Sequence, residues 1–236
     1  MGKQTNIKLR GTVGNTIYYQ WKGIHCTRTV PARVRQTGNT RKAASLFGVA
    51  VKSAAAVRAL LKPVLTGATD RSVIYGLDIA FRKWLHTNPK EYTEPAESLL
   101  AFDAFSFNKK AAPGKLYRMV KVSRATGNDL LIKLPGLNPA LDLAAPDDTR
   151  HLGIQFMAVV LEVDRPGEAK AIRATITIPY EDATMPAQEI LLPGVTGLEC
   201  LALVAMAVRY YKSGDETMPV NQVRWKPTAL VGSFYN

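Results

Sequence analysis

From Leu116 to the C-terminus the chain breaks into seven short apolar runs. They read LYRMVKVSR, DLLIKLPG, HLGIQFMAVVLEVD, AKAIRATITIPY, AQEILLPG, GLECLALVAMAVRYYKS and VNQVRWKPTAL. Pro, Gly or Asp separates each run from the next, and these residues make turns. Strand-length runs spaced this closely pair antiparallel and must cover their apolar faces with a second layer. The RATITI stretch has the period of a strand, with Ala174, Ile176 and Ile178 on one face and Thr175 and Thr177 on the other. Leu198 to Tyr211 has helix-compatible length, but Tyr210-Tyr211 and the surrounding strands favour a strand. No Cys-Trp-Cys spacing occurs, so an antibody-type domain is excluded. The pattern predicts an immunoglobulin-like or fibronectin-like β-sandwich over residues 116–236.

The first 115 residues have a different texture. Residues 5–13 and 16–22 are strand-like and meet at Gly14-Asn15, a two-residue hairpin signal. Lys22-Gly23 marks a second turn or bulge, and Ile24 to Thr29 a third strand that Pro31 ends. A helix is predicted from Thr40 to Lys62, with Leu46, Val49 or Ala50, Ser53, Val57, Leu60 and Leu61 on its apolar stripe and Pro63 and Gly67 as its stop. A second helix is predicted from an Asp70 cap to His86, with Ile74, Leu77, Asp78, Phe81, Trp84 and Leu85 as its stripe. The two stripes are expected to face each other as a helical hairpin, with Phe102, Phe105 and Phe107 packing on it. The fold class is therefore α+β: an N-terminal β-hairpin arm and helical hairpin (residues 1–115), then the β-sandwich (residues 116–236).

Charge divides the chain at the same place. Residues 1–115 carry 19 Lys/Arg and 6 Asp/Glu, whereas residues 116–236 carry 12 and 13, which yields the formal net charge of +12. Twelve basic side chains precede Asp70, the first acidic one. Such a field favours an acidic partner for the first half: nucleic acid, an anionic surface or an acidic protein face.

Little here points to catalysis. His25 and Cys26 are neighbours on a strand and so point to opposite faces. Asp147, Asp148 and His151 lie close in sequence, but between a proline and a strand they read as a turn with an Asp cap. No P-loop, G-x-S-x-G, H-E-x-x-H or G-x-G-x-x-G motif occurs. The chain reads as a non-enzyme with no cofactor and no metal site. Two cysteines make no disulfide framework. The N-terminus lacks the apolar core of a signal peptide. The longest apolar run, Cys200 to Val208, is half of a membrane span. A cytoplasmic location, or one in an assembled particle, is expected, with no membrane partner.

The distinctive feature is the opening GTVGNTIYYQWKGIHCTRTVP, in which Tyr18, Tyr19 and Trp21 are interleaved with Lys22 and Arg28. Alternation places Ile17, Tyr19 and Trp21 on one face, which predicts a packed face with the cations solvated on the other side. The competing reading is stacking plus cations for single-stranded nucleic acid. This opening, with the basic segment and the helix start TRKAASLFGVAVK, resembles a bacterial domain-of-unknown-function family over roughly the first 60 residues. Gly11, Val13, Gly14, Asn15, Trp21, Lys22, Gly23, Arg28, Pro31 and Phe47 carry the resemblance. Thr37-Gly38-Asn39-Thr40 departs from the family's lead into the helix. A similar lead-in occurs in uncharacterised phage-related proteins. The resemblance implies a C-terminal immunoglobulin-like sandwich, no known activity, and a virion or filament component.

The functional expectation is a non-enzymatic structural or self-assembling protein, virion-like or filament-like, with a homo-oligomer or larger assembly as its state. Its contacts, between subunits or to a polyanion, are assigned to Lys8, Arg10, Tyr18, Lys22, Arg28, Arg33, Arg35, Arg41 and Lys42. The alternative is a nucleic-acid-binding module that uses the same arm and the first helix.

Overall fold

The structure is a computed structural model. It describes residues 9–31, 36–65, 71–87, 99–103, 105–111, 114–162, 165–194, 200–212 and 219–235. The chain is α+β, with N-terminal strands, a helical region and then antiparallel sheets. It divides into two compact units, Met1–Ala43 and Ala44–Asn236.

The first unit holds β1 (Gly11–Val13), β2 (Thr16–Trp21) and β3 (Ile24–Thr29) in one antiparallel sheet of that order. Both connections are two residues long, since Val13 pairs with Thr16 and Trp21 with Ile24. Gly14 takes φ +58° in the first, while Lys22 and Gly23 take φ 47° and 80° in the second. Two consecutive left-handed residues match the strand twist and make the second connection a tight hairpin turn.

Helix α1 spans Gly38–Leu65 and α2 spans Arg71–His86. Thr37 rather than Thr40 starts α1: its Oγ1 accepts the Thr40 amide at 3.2 Å. Nor does Pro63 stop the helix. The proline gives no N–H to the Ala59 carbonyl and its ring crowds that carbonyl, but burial of Val64 and Leu65 carries the helix past it. The Val64 carbonyl in that turn accepts from the guanidinium of Arg209, whose burial lowers its pKa. The buried stripe of α1 begins at Ala50 and runs through Ser53, Ala54, Val57, Leu61, Val64 and Leu65. In α2 the buried face is Val73, Leu77, Ala80, Phe81 and Trp84, and Ile74 is exposed. The Asp70 cap lies outside the described residues. Arg58 of α1 donates to Asp78 of α2 at 2.7 Å, so a charge pair joins the two helices beside their stripes.

Seven strands follow: β4 (Lys121–Arg124), β5 (Leu130–Leu134), β6 (His151–Glu162), β7 (Arg165–Pro179), β8 (Gln188–Leu192), β9 (Cys200–Tyr211) and β10 (Thr228–Tyr235). They form a four-stranded sheet, β10-β9-β6-β7, and a three-stranded sheet, β4-β5-β8. Two runs differ from expectation. Residues 115–119 form a short helix before β4, which buries Leu116. The last run is a turn over Val223–Trp225, and β10 starts only after Pro227, which has no N–H to give a ladder.

Strands β6 and β9 are buried on both faces. Leu152, Ile154, Phe156 and Ala158 of β6, with Ala202, Val204, Met206 and Val208 of β9, share one core with Leu130, Ile132 and Leu134 of the other sheet. The alternate residues Met157, Val159 and Leu161, with Leu201, Leu203, Ala205 and Ala207, share a second core with α1 and α2. This explains the unbroken apolar run in β9. It also puts α2 and α1 from Ala44 onward in the same compact unit as the sheets.

Trp84 lies at the centre of the helix-side core. Its ring meets Phe81, Phe102 and Tyr235 at centroid distances of 6.1, 6.0 and 5.6 Å, and it is fully buried. Residues 105–107 continue from there onto the edge of β10, where the Phe107 amide donates to the Thr228 carbonyl at 2.8 Å and the Leu230 amide to the Phe105 carbonyl at 2.9 Å. Trp84→Ala is expected to cost about 3–5 kcal/mol, measured by chemical denaturation; an unchanged midpoint would refute the central role of this ring.

Candidate functional site

The surface with most chemistry is the N-terminal sheet. Its register decides which side chains share a face, because residues directly opposite each other project to the same side. Trp21 pairs with Ile24, Tyr19 with Cys26, and Ile17 with both Arg28 and Thr12. Ile17, Tyr19, Trp21, Ile24, Cys26 and Arg28 therefore lie on one face. The Arg28 guanidinium stands 5.8 Å from the centre of the Tyr19 ring, within cation–π reach. Trp21 is 63% exposed and Ile24 48%. Lys22 occupies the turn beside Trp21 and Arg10 directly precedes β1.

This corrects one expectation. The cations do not all lie opposite the aromatic face, because the two-residue turn at Lys22-Gly23 sets a register that brings Arg28 beside Ile17 and Tyr19. Tyr18, by contrast, pairs with Thr27 and Gly11 and projects from the other face with His25. The binding set thus divides: Arg28 joins Tyr19 and Trp21, Tyr18 does not, and Arg41 and Lys42 are exposed on the first turns of α1. Lys8, Arg33 and Arg35 lie outside the described residues. Ile24 and Cys26 join the face although the sequence reading did not assign them to it. Reading Lys22-Gly23 as a two-residue turn supplies the signal that finds them.

The sheet has a second property. Among its described residues, 9–31 and 36–43, none is buried. Among the described residues β1 and β3 each pair on one side only, which leaves two outer edges.

The second unit contains several clefts, one of them lined in part by Glu162, Glu168, Lys170 and Cys200. A cavity of about 270 Å³ is bounded by Leu116, Tyr117, Asp142, Tyr210 and Trp225. The Tyr117 hydroxyl donates to the Pro227 carbonyl at 2.7 Å, and burial pushes its pKa well above the ordinary tyrosine value. Tyr210 donates to the Ala144 carbonyl at 3.0 Å, and burial pushes its pKa up to about 12. Both phenols therefore stay protonated and spoken for. Asp142 at the rim is held below the usual carboxylate range by the Asn138 amide and then by Lys115. Asp148 sits in the turn before β6 with φ 64° and pairs with Lys212 at 3.7 Å. Among the described residues no group of three or more His, Cys, Asp or Glu side chains is placed to hold a metal. The acidic pair Asp215-Glu216 lies outside the described residues.

Helix α1 is long and apolar enough to cross a membrane by length and composition alone. Lys52 and Arg58 interrupt its apolar sequence. Its inner face from Ala50 to Leu65 lies in the helix-side core.

No protein-family model, curated protein or solved structure matches the chain. The functional reading therefore rests on the geometry above.

Gly14→Val places a β-branched residue at φ +58°, where its side chain meets nothing within 4 Å, so backbone strain is the whole cost. That strain is about 1–2 kcal/mol, or roughly 5- to 30-fold faster amide exchange in β1 and β2. Unchanged exchange there would overturn the turn's role in holding the sheet.

Proposed function

We propose that this chain is a non-enzymatic structural subunit that assembles with copies of itself, as virion or filament subunits do, through its N-terminal sheet. The observation that carries this reading is that three regular strands form a unit in which no described residue is buried. A small sheet is marginal in water without an apolar face covered. Open strand edges offer a different source of stability: backbone pairing with another subunit enlarges the sheet and satisfies its free edge groups. The charge asymmetry supports a head-to-tail arrangement, since the acid-free first 69 residues meet a second half that is slightly acidic. A head-to-tail contact is heterologous and generates rings or filaments.

The two sheets of the second unit fit an immunoglobulin-like or fibronectin-like sandwich as its scaffold. Counted from β4, one sheet holds strands one, two and five, and the other holds seven, six, three and four. In immunoglobulin lettering these are A-B-E and G-F-C-C′. The shared core of β5, β6 and β9 supports the same reading. In the cleft at Tyr117 and Tyr210 both hydroxyls are engaged with backbone carbonyls, which supports a non-enzyme.

Light scattering after size exclusion tests the proposal. The full chain is expected to elute as an oligomer whose mass survives nuclease treatment. A chain that begins at Thr37 is expected to be monomeric, with near-ultraviolet circular dichroism from the buried aromatic cluster retained. A monomeric full chain refutes the proposal, as does a truncated chain that assembles normally.

A further inference from the structure

We propose that the aromatic face of the N-terminal sheet is a binding platform for single-stranded nucleic acid. This concerns the face of the sheet and not its edges, and it does not depend on the assembly reading. Tyr19 and Trp21 are two residues apart on β2, so their rings stand in succession along one face of the strand. Ring stacking on bases is sequence-tolerant, because every base has a π-face. Trp21 is 63% exposed and beside it Ile24 adds an exposed apolar neighbour. A duplex hides its base faces in its own stack, so a platform of this kind reads unpaired strands.

Charge selects the same occupant. Arg28 lies over Tyr19 on this face, and Lys22 sits in the turn next to Trp21. Cations on the ring side of the sheet can meet phosphates while the rings meet bases. No acidic residue precedes Asp70, so nothing in the N-terminal unit neutralises them. An acidic protein surface would satisfy the charges, but it leaves the exposed Trp21 ring and its neighbour Ile24 without a stacking partner. The same face offers no second cysteine, and His25 projects away from it, so neither metal binding nor covalent chemistry competes for it.

The test uses the full chain and fluorescence anisotropy of a fluorescein-labelled oligothymidine of about 20 nucleotides, against a duplex of equal length. The single strand is expected to bind at least about tenfold more tightly than the duplex. The logarithm of its association constant is expected to fall with the logarithm of salt concentration with a slope of about −2, the value for three phosphates met by Arg10, Lys22 and Arg28. Trp21→Ala is expected to weaken binding about 5- to 100-fold, while Trp21→Phe keeps a ring and stays within about threefold of the parent. Arg28→Gln is expected to reduce the slope by about 0.7. Tyr18→Ala, on the opposite face, is expected to leave the affinity unchanged. Light scattering on the same variants separates the two proposals. If Trp21→Ala lowers the assembled mass but leaves oligonucleotide affinity intact, the face is a subunit interface and this inference fails. It also fails if duplex and single strand bind equally, if Tyr18→Ala matches Trp21→Ala, or if no oligonucleotide binds.

Discussion

The pairing of β6 with β9 is the constraint on which the second unit depends. Twelve residues of each strand are in register from His151 opposite Tyr211 to Glu162 opposite Cys200. Both strands are apolar on both faces, so each face requires its own cover. The three-stranded sheet covers one and the two helices cover the other. Removing either cover would expose a continuous apolar surface at about 25 cal/mol per Å². The helices are thus part of the sheet's core and not an appendage of the N-terminal arm. The Arg58–Asp78 pair and the Arg209 contact to Val64 fit the same scheme. Both satisfy polar groups at the margins of a layer that is otherwise dry.

The N-terminal unit is built on the opposite principle. Its strands have regular pairing and two well-formed turns, yet no described residue is buried and the best covered are only half-buried. Its stability cannot come from a packed interior of its own. What it offers instead is surface: two open edges, a face with two rings and a guanidinium, and an uncompensated positive field. Edges and face are chemically different, so one small sheet can serve two kinds of contact. A subunit that pairs by its edges and holds a polyanion on its face would place charge neutralisation and assembly in the same element.

The clefts of the second unit carry the reverse message. Their tyrosines are buried donors to backbone carbonyls, and burial moves both away from titration near neutral pH. They behave as structural hydrogen-bond donors that close the ends of strands. Tyr117 ties the short helix before β4 to Met206 and Pro227, and Tyr210 ties β9 to the loop at Ala144.

Local signals were legible wherever a short stretch fixes its own geometry. The alternation of β7, the strand identity of β9 and the turn at Gly14-Asn15 all follow from a few adjacent residues. So does the burial of Trp84, since its helical stripe is apolar at regular spacing. Whatever depends on a partner distant in sequence was not legible. Helix α1 outlasts Pro63 because Val64 and Leu65 are held in the helix-side core, whereas β10 starts late for a local reason, the missing N–H of Pro227. Ile74 sits on the exposed side because the sheet covers a face of α2 centred on Val73, Leu77 and Phe81. Texture changes at Leu116, yet the helix-side core is shared across that point. In the N-terminal sheet the sequence by itself determined the residue types and their alternation. Only the pairing decided that Arg28 stands with Tyr19 and Trp21 and that Tyr18 stands apart. A one-residue change of register moves every side chain of a strand to the other face, and composition cannot specify that choice.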